Sequence, residues 1–373
     1  MAGRIRILLA ISDLRGGGAE REFEILARTL SRERFDAELC FWRPIFRYPA
    51  PPDLPLHMLR KTRPWHVFRT VRDLRRLIDA RRPQVIFSQL HYVNLVMGQA
   101  LAGTRERPGW ACRQVNDPRR EMRGPFALWA RRSLRRADRV LGCCDGVSRA
   151  MIEHLALAPE RVATLRNAVD VARVDALSRE ALPIEKRPGV FTVVHAGRLS
   201  PQKNQALLLQ ALAGLAERPA ELWLLGEGPE EPRLRRLAAQ LALQDRVRWL
   251  GFRENPYPFF RAADCFALSS DHEGLPNAVI EAMVCGTPVV STACPYGPEE
   301  LVEDGVTGHL CPVRDAPAFT AALQGLALET QRAAAMGEAA SEHARRVFDL
   351  ASVIGEYEAL FVELARESAS RCR

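Results

Sequence analysis

The stretch Ser269-Ser270-Asp271-His272-Glu273-Gly274-Leu275-Pro276-Asn277-Ala278-Val279-Ile280-Glu281-Ala282-Met283 decides how the rest of the chain is read. Ahead of it, Ala263-Asp264-Cys265-Phe266-Ala267-Leu268 has the length and apolar content of a buried parallel strand. Gly274 and Pro276 do not fit inside a regular element, so residues 271–275 read as a loop, with Pro276 at the first position of a helix. Glu273 then lies on a loop at the carboxyl end of a strand, and Glu281 about a turn and a half into the following helix. Ligands of open α/β sheets bind at that edge. Most glutamate pairs are solvated surface residues; the glycine and proline between these two argue for a shaped loop.

Working outward, strands alternate with helices along the whole chain, which implies parallel, doubly wound sheets. Ile5 to Ile11 is a first strand, followed by the turn Gly16-Gly17-Gly18 and a helical pattern through Phe23, Leu26 and Leu30. Glycines at such a junction let a backbone approach a phosphate, although this turn lacks the G-x-G-x-x-G order of a dinucleotide site. Further strands read at 37–42, 85–88, 110–114, 139–142 and 162–170, the last closing a first domain, residues 1–172. Polar residues with Pro183, Pro188 and Gly189 mark 173–189 as a linker. A second domain, 190–350, opens with Phe191 to Ala196 and the loop Gly197-Arg198-Leu199-Ser200-Pro201-Gln202-Lys203-Asn204. Its later strands end in Gly226-Glu227-Gly228-Pro229 and Gly251-Phe252, and residues 351–373 form a last helix.

At 373 residues there is room for two cores of ordinary size, and 47% hydrophobic with 26% charged residues suits a globular protein. No apolar run approaches the ~20 residues of a spanning helix, and the amino-terminal run reads as a strand rather than a signal peptide, so a cytoplasmic protein is expected. The nine cysteines are scattered, and the adjacent Cys143-Cys144 suits neither a zinc clamp nor a redox pair; they read as reduced core residues. The net charge of +8 is uneven: residues 1–180 hold 34 Lys and Arg against 20 Asp and Glu, and residues 181–373 hold 19 against 25. Much of the excess falls in Arg60 to Arg82 and Arg119 to Arg139, where arginines alternate with Trp65, Phe68, Leu74 and Leu77, and with Phe126, Leu128, Trp129 and Leu134. Such basic amphipathic helices suit an anionic membrane surface or an acidic ligand, or are simply a solvated arginine face. No nucleic-acid module accompanies them.

Arg198 and Lys203 lie on the same sheet edge as Glu273, and two fixed cations beside helix amino ends can hold a diphosphate without a metal. The helix rise sets Glu273 and Glu281 about 10–12 Å apart, enough to grip two ends of one ligand. A glycosidase acid and base pair calls for about 5–9.5 Å.

Gly197-Arg198 with Lys203, Gly226-Glu227-Gly228-Pro229, Gly251-Phe252, and Glu273-x7-Glu281 followed by Gly286-Thr287-Pro288-Val289-Val290 resemble the motif series of retaining GT-B glycosyltransferases of family four (glycosyl transferases group 1). The Gly16-Gly17-Gly18-Ala19-Glu20-Arg21 turn is similar to their glycine loop, and the resemblance runs from residue 5 to about 310. It implies two facing Rossmann-like domains, acceptor domain first, with the last helix crossing back onto the first. It assigns Arg198 and Lys203 to the donor diphosphate, Glu273 and the backbone of Gly274, Leu275, Pro276 and Asn277 to the transferred sugar, and Glu281 to the ribose. Arg198, Lys203 and Glu273 are the catalytic set; Gly17, Gly18, Gly197, Glu227, Gly228 and Phe252 complete the donor site. No metal or other cofactor is implied.

One departure concerns the acceptor domain. Many family members carry a histidine after its fourth strand; here that region reads Cys112-Arg113-Gln114-Val115-Asn116-Asp117-Pro118, loosely similar to relatives acting on polyprenyl-diphosphate-linked sugars. His91, Gln114 and Asn116 are the acceptor-side candidates. The expectation is a retaining transferase moving a hexose or N-acetylhexosamine from a nucleotide sugar, UDP ahead of GDP as carrier, to a lipid-linked or cell-surface glycan, with peripheral attachment at the inner membrane face. A soluble small-molecule acceptor and a non-catalytic nucleotide-sugar binder are the alternatives.

Overall fold

Short runs of β-branched and aromatic residues become strands buried on both faces, as parallel sheets require. A computed structural model describes residues 3–59, 66–122, 126–215 and 218–371. It resolves into two compact units, residues 1–168 with 351–373, and residues 169–350.

The first unit is built on β1 (Ile5–Ile11), β2 (Phe35–Phe41), β3 (Leu56–Met58), β4 (Val85–Gln89), β5 (Gly109–Gln114), β6 (Arg139–Gly142) and β7 (Val162–Thr164), all parallel, in the order β3-β2-β1-β4-β5-β6-β7. The second holds β8 (Phe191–Ala196), β9 (Ala220–Leu225), β10 (Val247–Gly251), β11 (Cys265–Leu268), β12 (Val289–Thr292) and β13 (Gly308–Cys311), in the order β10-β9-β8-β11-β12-β13. Each order reverses once, between β1 and β4 and between β8 and β11, so each sheet is doubly wound and has one switch point at its carboxyl edge.

The last helix, Leu350–Arg371, groups with the first unit although it follows the second in sequence. Its buried residues Val353, Ile354, Tyr357, Phe361, Leu364 and Ala365 recur at helical spacing. Phe361 meets Phe35 and Phe87 edge to face at 6.1 and 5.7 Å, and Glu358 accepts from Ser31 N at 2.8 Å.

Several boundaries differ from the sequence expectation, each for a local reason. The strand expected over 162–170 stops at Thr164. Beyond it, side chains replace the ladder: Arg113 Nη2 donates to Leu165 O at 2.9 Å and to Asn167 Oδ1 at 2.6 Å, and Ala168 N donates to Glu22. The stretch read as a linker begins as a helix, Val171–Ser178, because Asp170 caps it through Arg173 N at 3.0 Å and Arg345 clasps Asp175 at 2.6 Å. β11 starts at Cys265 rather than Ala263, since Ala263 ends the helix Tyr257–Ala262 and Asp264 binds Thr192 N at 2.7 Å.

Both basic segments are helical where described, Val67–Arg81 and Phe126–Leu134; residues 60–65, the side chain of Phe126 and Cys372 lie outside the described residues. Phe68 and Leu128, apolar residues of the two basic helices, are 80% and 66% exposed. Thr70, Leu74 and Ile78 carry the packing of the first of these helices, leaving Phe68 on the outer side. The eight described cysteines are free, and all but Cys285 are buried. Among the described residues no helix is long and apolar enough to cross a membrane.

One ionic knot ties the first unit together. Arg113 and Glu22, 0% and 2% exposed at the side chain, stand 3.2 Å apart, and the guanidinium lies 5.6 Å from the Tyr357 ring. Burial pushes the Glu22 carboxyl up while Arg113 and the Ala168 amide draw it back. Glu22→Ala leaves a buried cation unpaired and is expected to destabilise by about 3–5 kcal/mol. Glu22→Leu with Arg113→Met together should recover most of that loss in urea unfolding. A single mutant as stable as the parent would show the knot to be unimportant.

Candidate active site

The switch point of the second sheet is where the sequence candidates converge. From β8 the chain crosses to β9 on one side, and from β11 to β12 on the other, so their loops part and leave a crevice. Lys203, at the end of the β8 loop, reaches across to Glu273 on the β11 loop, Nζ to Oε1 at 2.5 Å. Ser270 Oγ donates to the same oxygen at 2.5 Å. Glu273 is 5% exposed, and the Lys203 side chain 21%. Burying a carboxylate this deeply is costly without such partners.

Both loops are sewn together. Asp271 N donates to Gln202 O at 2.8 Å, Gln202 Nε2 to His272 O at 2.9 Å, and Ser269 Oγ to Lys203 O at 2.7 Å. On the far side Glu273 N donates to Pro295 O at 2.8 Å and Tyr296 N returns to Glu273 O at 3.1 Å. Gly297 presses on Gly274, where a Cβ would overlap the Gly274 carbonyl. Glu281 lies on the helix Asn277–Val284 and is 6% exposed; Pro276 caps that helix rather than opening it.

The glycine motifs after β8 and β9 meet backbone to backbone. A Cβ on Gly226 would overlap the Gly197 carbonyl oxygen, and one on Gly228 that of Leu199. Gly197 N donates to Leu225 O at 2.9 Å and Leu199 N to Glu227 O at 3.0 Å. Arg198, between those anchored amides, is exposed, and neither its guanidinium nor its backbone N–H has a partner among the described residues. The loop after β8 thus carries two cations and an open amide, groups of the kind that bind an anion. A cavity of about 410 Å³ lies elsewhere on these loops, lined by Asn204, Arg233, Asp271 and Arg314 but by neither Lys203 nor Glu273. Its arginines are paired, Arg314 with Asp271 at 2.5 Å and Arg233 with Glu230 at 2.7 Å, as Lys203 is with Glu273, whereas the Arg198 guanidinium has no partner among the described residues.

In the first unit, Gly17 caps the helix Gly18–Thr29, and the Glu20 carboxylate occupies the space a Gly17 Cβ would take. Burial raises the Glu20 carboxyl. His91 opens the helix His91–Leu101 beside this loop; burial lowers its pKa, and its Nδ1 has no hydrogen bond. Gln114 and Asn116, at the end of β5, both donate to Glu121, Asn116 Nδ2 at 2.9 Å. Burial raises the Glu121 carboxyl despite those amides.

Two family models match the chain: one described as glycosyl transferases group 1 over residues 190–329, the other as glycosyltransferase family 4 over residues 16–173. The chain belongs to the family-four GT-B glycosyltransferases. It is 33% identical over 181 residues to the lipopolysaccharide core biosynthesis glycosyltransferase LpsE of Rhizobium meliloti, covering 48% of this chain and 52% of that protein. It is 32% identical over 178 residues to the Campylobacter jejuni N-acetylgalactosamine-N,N'-diacetylbacillosaminyl-diphospho-undecaprenol 4-alpha-N-acetylgalactosaminyltransferase, covering 48% and 47%. The chain thus spans about half the length of the curated relatives it matches. Among solved structures, Anabaena HepE in complex with UDP and glucose superposes with a TM-score of 0.81 at 21% identity, over 96% of this chain and 100% of that one, and so shares its fold.

In this chain, Gly197, Arg198, Lys203, Glu227, Gly228, Phe252, Glu273, Gly274, Leu275, Pro276, Asn277 and Glu281 follow the strand ends of the second sheet, and Gly17, Gly18, His91, Gln114 and Asn116 those of the first. Glu121, Ser270, His195 and Gln205 were not singled out in the sequence, where each reads as an ordinary helix or core residue. The backbone contact of the glycine loops makes a clear prediction. Gly228→Ala has no side-chain slack to exploit and should destabilise by about 1–3 kcal/mol. Gly325→Ala, inside the helix Ala316–Leu328 with nothing within 4 Å, should stabilise by roughly 0.5–1 kcal/mol in the same urea titration. Equal stability of Gly228→Ala and the parent would contradict the close packing.

Proposed function

We propose that this protein is a retaining glycosyltransferase that moves a hexose or N-acetylhexosamine from a UDP-sugar to a lipid-linked or cell-surface glycan. The observation that carries the proposal is the Lys203–Glu273 pair beside the unpartnered Arg198 at the switch point of the second sheet. The UDP and glucose bound by the structural neighbour HepE, and the diphospho-undecaprenol substrate in the name of the Campylobacter relative, support the donor and acceptor classes.

In this reading Arg198 and Lys203 take the donor diphosphate. The bond from the anomeric carbon to the β-phosphate oxygen breaks with its electron pair going to UDP, and the cations stabilise the charge that develops there. The acceptor hydroxyl bonds to the same face of the anomeric carbon and gives its proton to the departing phosphate. Glu273, relieved of Lys203 as that ammonium turns to phosphate, holds hydroxyls of the transferred sugar, and Glu281 those of the ribose. Two cationic side chains do the work of a divalent ion, so activity should persist in EDTA.

The acceptor's membrane supports a role for the basic first unit. The helix His91–Leu101 packs between Val67–Arg81 and Phe126–Leu134, and the flanking pair displays Phe68 and Leu128 among exposed Arg69, Arg72, Arg76 and Arg132. Apolar tips in a cationic field suit attachment to anionic lipid.

With a UDP-sugar and a polyprenyl-diphosphate sugar, Lys203→Ala and Glu273→Ala are each expected to lower kcat/KM by about 10²-fold or more. Unchanged rates in both variants would remove the assigned roles. Phe68→Ser with Leu128→Ser should weaken sedimentation with anionic vesicles at low salt while leaving donor hydrolysis intact. Absence of vesicle binding by the parent protein would favour a soluble acceptor.

A further inference from the structure

The chain holds a buried polar pair under the donor loop that no step above uses. His195, near the end of β8, and Gln205, at the start of the helix Gln205–Gly214, are both 0% exposed. His195 Nδ1 lies 2.9 Å from Ala267 O on β11. A carbonyl only accepts, so Nδ1 carries the proton and Nε2 presents a lone pair. Gln205 Nε2 lies 3.1 Å from that lone pair and 3.0 Å from Arg198 O. Both of these are acceptors, so both amide hydrogens of Gln205 are used, and the orientation of the amide is fixed from two sides.

The peptide joining Arg198 to Leu199 is thereby held at both ends: its oxygen by Gln205, and its N–H by Glu227 O at 3.0 Å. That clamp fixes the carbonyl side of Arg198; its own N–H, in the preceding peptide, and its guanidinium have no partner among the described residues. The chain of bonds runs from β11 through His195 and Gln205 into the β8 loop, and so spans the two strands that flank the switch point.

We propose that His195 and Gln205 are positioning residues that set the Arg198 peptide for the donor diphosphate. The proposal rests on the donor-site reading given above. Burial, aided by the Lys203 charge and opposed by the Ala267 carbonyl and Glu273, lowers the His195 pKa to about 4, so the imidazole stays neutral across the working range. A proton on Nε2 would face the Gln205 amide hydrogens. The folded protein therefore refuses a proton that the unfolded chain accepts near pH 6.5, and this contribution to stability is full above that pH and falls as pH drops towards 4.

The experiment compares Gln205→Met and Gln205→Glu with the full-length parent, measuring UDP affinity calorimetrically at pH 5.5 and 8 and amide exchange of Leu199 in the ligand-free protein. Gln205→Met keeps the shape but donates nothing; it should lose at least tenfold in UDP affinity and speed Leu199 exchange, with a melting curve still cooperative. Gln205→Glu at pH 8 sets a carboxylate against two acceptors; at pH 5.5 the protonated carboxyl can donate its one hydrogen to Arg198 O, and its deficit relative to the parent should shrink severalfold. Equal, pH-independent deficits in both variants would reduce the pair to packing and overturn the proposal. If the parent binds no UDP, the donor reading fails, yet Leu199 exchange still decides the clamp: protection unchanged in Gln205→Met contradicts it, and protection lost supports it.

Discussion

The Lys203–Glu273 contact is the interaction on which the second unit depends. A carboxylate 5% exposed is tolerable only beside its ammonium and the Ser270 hydroxyl, and that proximity requires the β8 and β11 loops to meet. The meeting is possible because the strand order reverses between those two strands. It is then enforced by backbone: Asp271 to Gln202, Glu273 to Pro295, and glycines 226, 228 and 297 where no Cβ fits. The geometry holds the loop backbones in place before any ligand arrives and leaves the Lys203 and Arg198 side chains to turn to it.

Strand-loop-helix punctuation made much of this legible in the sequence. The glycine and proline of the 269–283 stretch placed Glu273 and Glu281 correctly, because those residue types have few alternatives in backbone space. Two strands escaped notice, β3 of three residues and β13 of four, since runs that short carry no period. Side-chain pairing was equally invisible, whether across 70 residues from Lys203 to Glu273 or across seven from Gln114 to Glu121. Phe68 and Leu128, read in the sequence as apolar residues of basic amphipathic helices, lie on the outside of the fold.

Those outward residues bear on the charge asymmetry between the units. Many arginines of the first unit are structural, such as Arg113 in its buried knot, Arg81 with Glu38, and Arg139 with Glu367 at 2.8 Å. Ion pairs of this kind at the surface contribute little stability and leave no net field. Arg69, Arg72 and Arg76 lie along the helix that displays Phe68, with Asp73 the acid paired to the first two. The cationic remainder is what the proposed membrane contact draws on.

The central claim is that the cations at the β8–β11 crevice bind a diphosphate. Comparing UDP with uridine by calorimetry, in the parent and in Arg198→Ala with Lys203→Ala, tests it most directly. The account predicts that UDP binds at least a hundredfold more tightly than uridine, a gap of about 2.7 kcal/mol, and that the double variant closes most of it. Equal affinity for UDP and uridine in the parent, or a gap untouched by the double substitution, would contradict it.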